Sequence, residues 1–143
     1  MSEIKNIQEE LIDEFSLLDC DMEMTINYLM ELGEKLPAFP EEQRKEENIV
    51  KGCQSKVWLF PTLTENKIEF DGDSNTAITK GLVSLLIRVL SNQSPEDIAK
   101  AEIFFPEKIG MNRFIGTQRS NGFAAMIKQM KLYAIAYQAK LNG

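Results

Sequence analysis

The 143-residue chain contains no histidine. That absence removes a Cys–His dyad, a Ser–His–Asp triad and histidine-ligated zinc from the chemistry open to it. Cysteine is nearly as scarce, with two in the chain, Cys20 and Cys53. Two thiolates without histidine complete neither a four-ligand structural zinc site nor an iron–sulfur cluster, so no metal site is expected on this chain. There is no Cys-x-x-Cys pair and no glycine-rich phosphate loop. Long apolar runs are missing too: the stretch from Leu82 to Ile87 is interrupted by Ser84 and flanked by Lys80 and Arg88, too short to span a bilayer. Positive charge is in deficit, with 16 Lys and Arg against 22 Asp and Glu and a formal net charge of −6. Nucleic-acid phosphates need a basic patch, so no nucleic acid is expected as partner, and no basic amphipathic helix points to a membrane. The start, Met1-Ser2-Glu3-Ile4-Lys5, lacks the basic block and apolar core of a signal peptide. The expected location is the cytoplasm, where a Cys20–Cys53 disulfide is not expected as a staple.

What is present suits one domain spanning residues 1–143, with 43% hydrophobic residues and one core. Residues 3–18 place Ile4, Ile7, Leu11, Phe15 and Leu18 on one helical face. A break at Leu18-Asp19-Cys20-Asp21 precedes a second helix to about Leu36, with Met22, Ile26, Leu29, Met30 and Leu36 turned inward; Cys20 is expected to pack at the junction. Pro37 and Pro40 end that helix. A short strand at 48–50 is expected next, then strands at about 56–63 and 67–71 joined about Thr64-Glu65-Asn66. Asp71 to Asn75 reads as a turn with helix caps. A buried helix over 76–90 follows, then a short helix capped by Ser94 with Pro95 at its first position. Ile103 to Pro106 reads as an apolar turn, and Thr117 opens a last helix to about Leu141 with Phe123, Met126, Ile127, Met130, Ala134 and Tyr137 inward. The expected fold class is α+β: a small antiparallel β-sheet packed against several α-helices.

Chemistry concentrates at Lys51-Gly52-Cys53-Gln54-Ser55-Lys56. Gly52 can take backbone angles closed to other residues and so present Cys53 at a sharp turn. Lys51 and Lys56 bring positive charge near the sulfur, which favours thiolate. Val57-Trp58-Leu59-Phe60 anchors the loop as a strand, with Trp58 expected in the core. By itself this pattern fits a small buried core cysteine better than a reactive one, since free cysteine is among the most buried residue types.

Three motifs in register resemble the SufE family of sulfur-acceptor proteins, and the resemblance spans nearly the whole chain. They are Val50-Lys51-Gly52-Cys53-Gln54-Ser55-Lys56-Val57-Trp58; Gly72-Asp73-Ser74 through Ala77-Ile78 with Lys80-Gly81-Leu82; and Gln118-Arg119-Ser120-Asn121-Gly122-Phe123-Ala124-Ala125-Met126. Phe123 stands where the family more usually has leucine, and Thr117-Gln118 departs from the family's Ser/Thr-Pro. The resemblance implies a SufE/IscU-like fold. It further implies that Cys53 accepts persulfide sulfur from a SufS-type, pyridoxal-phosphate-dependent cysteine desulfurase, stimulates that enzyme and passes sulfur toward iron–sulfur scaffold proteins. The resemblance places the pyridoxal phosphate on the partner, so this chain is expected to bind no cofactor.

Under that resemblance the missing histidine is no handicap, since thiolate attack on a sulfane sulfur needs a thiolate and access. Lys51, Lys56 and Arg119 are candidates to favour the anion, as is the N-terminus of the last helix. The lysines equally suit surface solubility, and Arg119 equally suits pairing with an acid such as Asp73. Gln54 and Ser55 are candidates to orient the loop or bond the sulfur. Two other functions compete: an adaptor that activates a desulfurase without carrying sulfur, and a thiol peroxidase or redox sensor, for which Cys20 offers no matched resolving thiol. A carrier also benefits from shelter, so two loop states are expected: Cys53 tucked against apolar side chains at rest, and extended on the partner.

Overall fold

Alternation along two short segments builds the hairpin at the centre of the computed structural model, which describes residues 2–142. Strands β1 (Val57–Thr64) and β2 (Lys67–Ser74) pair antiparallel from Val57↔Ser74 to Thr64↔Lys67. The two residues between them, Glu65 and Asn66, have φ of 50° and 67°, the left-handed pair that matches strand twist in a tight hairpin. Ile68, Phe70 and Gly72 of β2 are buried while Lys67 and Glu69 are exposed, so one face of the ribbon meets the core. A two-stranded sheet is all edge, which is why Pro61 is tolerated in β1.

Helix α3 (Ala77–Leu90) lies against that face and buries Leu82, Val83, Leu85, Leu86, Val89 and Leu90. A Cβ at Gly72 would stand 2.6 Å from Val83 Cγ1, so the strand passes the helix as closely as backbone allows. On its other side α3 meets α2 (Met22–Glu34) at two glycines: a Cβ on Gly33 would lie 2.7 Å from the Gly81 amide nitrogen, and a Cβ on Gly81 would lie 2.3 Å from the Leu29 carbonyl oxygen. Helix α1 (Ser2–Ser16) buries Ile4, Leu11 and Phe15 and ties to α3 by a two-pronged pair, Arg88 donating to both oxygens of Glu14 at 2.9 and 3.0 Å. Buried Gln8 donates to the Glu102 carbonyl and accepts from the amides of Phe104 and Phe105, leaving its amide satisfied in the core. Two short helices follow: α4 (Pro95–Lys100), capped by Ser94, and α5 (Phe105–Lys108).

The last helix, α6 (Met111–Asn142), is two helices that meet at a kink, where Gly116 takes φ 82° and ψ 169°. Beyond the break Phe123, Met126, Met130 and Ala134 are buried, and Ile127 and Tyr137 are half-buried. The α+β class is as expected from the sequence. No helix among the described residues is long and apolar enough to cross a membrane.

Several local expectations need correction. The short strand at 48–50 is reduced to one bridge, Ile49 to Trp58, after a 3-10 turn over Glu46–Asn48. The expected turn at 71–75 is instead the end of β2, because its pairing continues to Ser74. Ile103 to Pro106 leads into α5 and not a plain turn, and residues before Gly116 add a helical turn that buries Met111 and Ile115. Met22 is 53% exposed, and Cys20 is exposed with φ 60°. Both follow from the αL pair Asp19-Cys20, which turns the start of α2 so that Thr25, Leu29 and Gly33 face inward.

Candidate functional site

The loop that carries Cys53 is closed at its base and fastened on two flanks. The Val50 amide donates to the Val57 carbonyl at 2.8 Å, closing residues 51–56 into an excursion ahead of β1. On one flank Lys56 and Asn75 bond reciprocally: the Lys56 amide to Asn75 Oδ1 at 3.0 Å, and the Asn75 amide to the Lys56 carbonyl at 3.2 Å. Ser55 Oγ lies 2.8 Å from Thr76 Oγ1 and accepts from Thr79 Oγ1 at 3.4 Å. These contacts stitch the loop to the start of α3.

The other flank rests on α6. Gly52 has φ +98°, a conformation that strains any side chain, and a Cβ there would be 3.3 Å from Ala125 Cβ. Gly122 supplies the floor under Cys53: a Cβ on Gly122 would sit 3.4 Å from Sγ and 3.6 Å from Cys53 Cα. The Cys53 thiol donates to the Gly122 carbonyl oxygen at 3.4 Å. The half-buried sulfur lines a cavity of about 90 Å3 with Ser55, Thr79, Leu82, Arg119 and Met126.

Burial pushes the Cys53 thiol above the ordinary thiol range. A carbonyl acceptor works the same way, since it can bond S–H and not S⁻. Loop and floor therefore hold a protonated thiol at rest. Lys51, Gln54 and Lys56 are exposed. Ser55 is engaged with the two threonine hydroxyls, so its placement suits loop orientation. Arg119 is exposed at the rim of the cavity and donates to the Ile115 carbonyl at 3.3 Å.

The acid considered as a partner for Arg119 is taken elsewhere. Asp73 accepts from Arg44 Nη2 at 2.5 Å and faces Lys80 Nζ at 3.5 Å. Burial alone would raise the Asp73 carboxyl; Arg44, the Ser74 amide and Lys80 outweigh it, and its pKa falls below the usual carboxylate value. Arg44 also lies over the rings of Trp58 at 4.9 Å and Phe39 at 5.4 Å, so Trp58 is half-buried beneath a guanidinium and not sealed in the core. Sequence reasoning missed Arg44, whose segment of acids and bases reads as a solvated charge run. It also left Gly122 unassigned, although a glycine inside a helix is a signal of close approach.

The second thiol has a different setting. Cys20 lines a separate cavity of about 270 Å3 with Ile12, Phe15, Lys108 and Phe114, and Arg113 Nη2 approaches its sulfur at 3.7 Å. Among the described residues no three carboxylates or thiols gather as a metal-binding group.

The chain is similar to known proteins over most of its length. Residues 9–134 match the family described as SufE: Fe-S metabolism associated domain. An uncharacterised SufE-like protein of Rhizobium etli is 39% identical over 128 residues, covering 86% of each chain. Another, from Rhizobium meliloti, is 35% identical over 130 residues, covering 86% of this chain and 91% of the relative. The solution structure of a hypothetical protein from Thermus thermophilus superposes with a TM-score of 0.76 over 93% of this chain and 96% of that one; at 18% identity it speaks for the fold alone.

Proposed function

The chain belongs to the SufE family, and we propose that it takes persulfide sulfur from a SufS-type, pyridoxal-phosphate-dependent cysteine desulfurase onto Cys53. From there it hands the sulfur on toward iron–sulfur scaffold proteins. The observation that carries the reading is the seat of Cys53: a thiol on a loop closed at its base, laid against a side-chain-free helix position and beside a cavity of about 90 Å3. A thiol needed only for packing requires no such pivot at Gly52.

In the transfer, the Cys53 thiolate attacks the terminal sulfane sulfur of the partner's cysteine persulfide. A new S–S bond forms at Cys53 Sγ, the partner's S–S bond breaks, and the partner cysteine leaves as thiolate; the proton lost from Cys53 is balanced by the one the leaving thiolate takes up, with no net oxidation. Burial and the Gly122 carbonyl keep the resting thiol protonated and slow. The loop extends when the desulfurase docks, because the partner binds the extended state better. Arg119 favours the anion as it forms; its position at the cavity rim, apart from Asp73, supports that role. Lys51, Gln54 and Lys56, all exposed, are the loop side chains available to contact the partner.

The test is intact-mass analysis after incubation with a SufS-type desulfurase and free cysteine. A gain of one sulfur atom, located to the Cys53 peptide and removed by reductant, is expected. Stimulation of the desulfurase with no added mass would replace the carrier by an adaptor.

A further inference from the structure

Arg44 comes from a short segment between α2 and the Cys53 loop, yet its guanidinium meets four groups. Nε donates to Glu41 Oε1 at 3.0 Å and Nη2 to Asp73 Oδ2 at 2.5 Å, while the plane covers Trp58 and Phe39. Two of these partners sit at the roots of the loop. Trp58 pairs across the sheet with Asp73 and bridges Ile49, the residue just before the loop's closing bond. Asp73 precedes Ser74 and Asn75, and Asn75 holds Lys56. Next to Arg44, the Gln43 carbonyl accepts from Asn48 Nδ2 at 2.8 Å, which fixes the chain entering the loop.

We infer that Arg44 is a positioning residue for Cys53: by tying Trp58 and Asp73 to the segment that enters the loop, it holds the loop closed on Gly122. The guanidinium suits this work because its planar fork can serve two carboxylates while its faces stack on rings, which an ammonium cannot do. The functional meaning rests on the reading of Cys53 as acceptor. The test does not, because it uses no desulfurase.

The measurement is the iodoacetamide alkylation rate at the Cys53 peptide of the whole protein, followed by mass spectrometry. Arg44→Ala should speed it by about tenfold, the shift that one lost charge-assisted contact with its stacked rings makes in a local opening equilibrium. Arg44→Lys, which keeps the charge but not the fork, should recover part of the protection. Arg88→Ala removes a comparable pair between α1 and α3, away from the loop, and should leave the rate at the wild-type level. A rate in folded Arg44→Ala no faster than in Arg88→Ala would overturn the inference. Should Arg44→Ala not fold, Asp73→Asn keeps the shape and drops the charge: a faster rate supports the inference, and the wild-type rate overturns it.

Discussion

The two cysteines of this chain sit in opposite kinds of place. Cys53 is half-buried, bonded to a helix carbonyl, on a loop fastened to α3 and α6. Cys20 is exposed, in left-handed backbone at a helix junction, beside a larger cavity and an arginine. If exposure decided function, Cys20 would be the working thiol. The contrast separates exposure from seating: one thiol is held on a loop against a helix, the other stands open in a turn. Cys53 follows a glycine at φ +98° and rests on Gly122, whereas Cys20 stands exposed in the turn between α1 and α2.

The most direct way to break this contrast is to remove each sulfur in turn. Cys53→Ser should abolish sulfur acceptance and desulfurase stimulation with an unchanged circular dichroism spectrum. Cys20→Ser should keep both and, since the side chain is exposed, change stability by less than about 0.5 kcal/mol. Full stimulation by Cys53→Ser would end the carrier reading.

A subtler break leaves the sulfur and alters its hinge. Gly52→Ala forces a side chain into φ +98° and against Ala125, at a cost of about 1–2 kcal/mol. The loop can relieve that strain by lifting from α6. Alkylation should then quicken at Cys53 and not at Cys20, with a lowered thermal midpoint. Equal acceleration at both thiols would mean general loosening of the fold instead.

Arg119 and Lys56 sharpen the comparison within the site. Arg119 lines the cavity and Lys56 is fastened through its backbone, with its side chain exposed. Arg119→Ala should therefore lower sulfur transfer by about tenfold, the order expected for one lost charge-assisted contact. Lys56→Ala should lower it far less. Stimulation assays on both variants, with circular dichroism to verify folding, check this; equal activities would leave Arg119 no special part.

How much of this was legible beforehand follows physical lines. Helix faces were readable because apolar residues recur with the helical period: Ile4, Leu11 and Phe15, and Phe123, Met126, Met130 and Ala134, are buried as spaced. The hairpin was readable from the alternation of Ile68, Glu69 and Phe70. The family was readable because three motifs fell in register. What escaped was set by tertiary contact. Nothing local says that β2 continues through Gly72 to Ser74, because only α3 packing at Val83 makes that glycine necessary. Arg44 belongs to a charged stretch whose meaning appears only when Asp73 and Trp58 arrive from elsewhere in the chain. The exposure of Cys20 and Met22 depends on two consecutive left-handed residues, which side-chain periodicity does not encode.

The smallest expected effect concerns protons. Burial of Cys53 disfavours thiolate, so its folded pKa lies above its unfolded value. Between those two values the folded state binds more protons than the unfolded state, and stability falls as pH rises. The contribution is therefore fully present below the ordinary thiol range, declines as pH climbs through it, and is gone above the folded pKa. Cys53→Ser removes the titration, so the difference in unfolding free energy between wild type and variant should shift against wild type as the buffer moves from neutral to alkaline. The same shift should appear kinetically. Alkylation of Cys53 in the folded protein should go on rising at pH values where the same thiol in urea has already levelled off. The urea-unfolded protein is the proper reference, because it has the same sequence and neighbouring charges without the Gly122 carbonyl or the cavity wall. Coincident pH profiles for folded and unfolded Cys53 would show that the seat on α6 does not restrain the thiolate, and the contrast with Cys20 would then rest on the hinge at Gly52 alone.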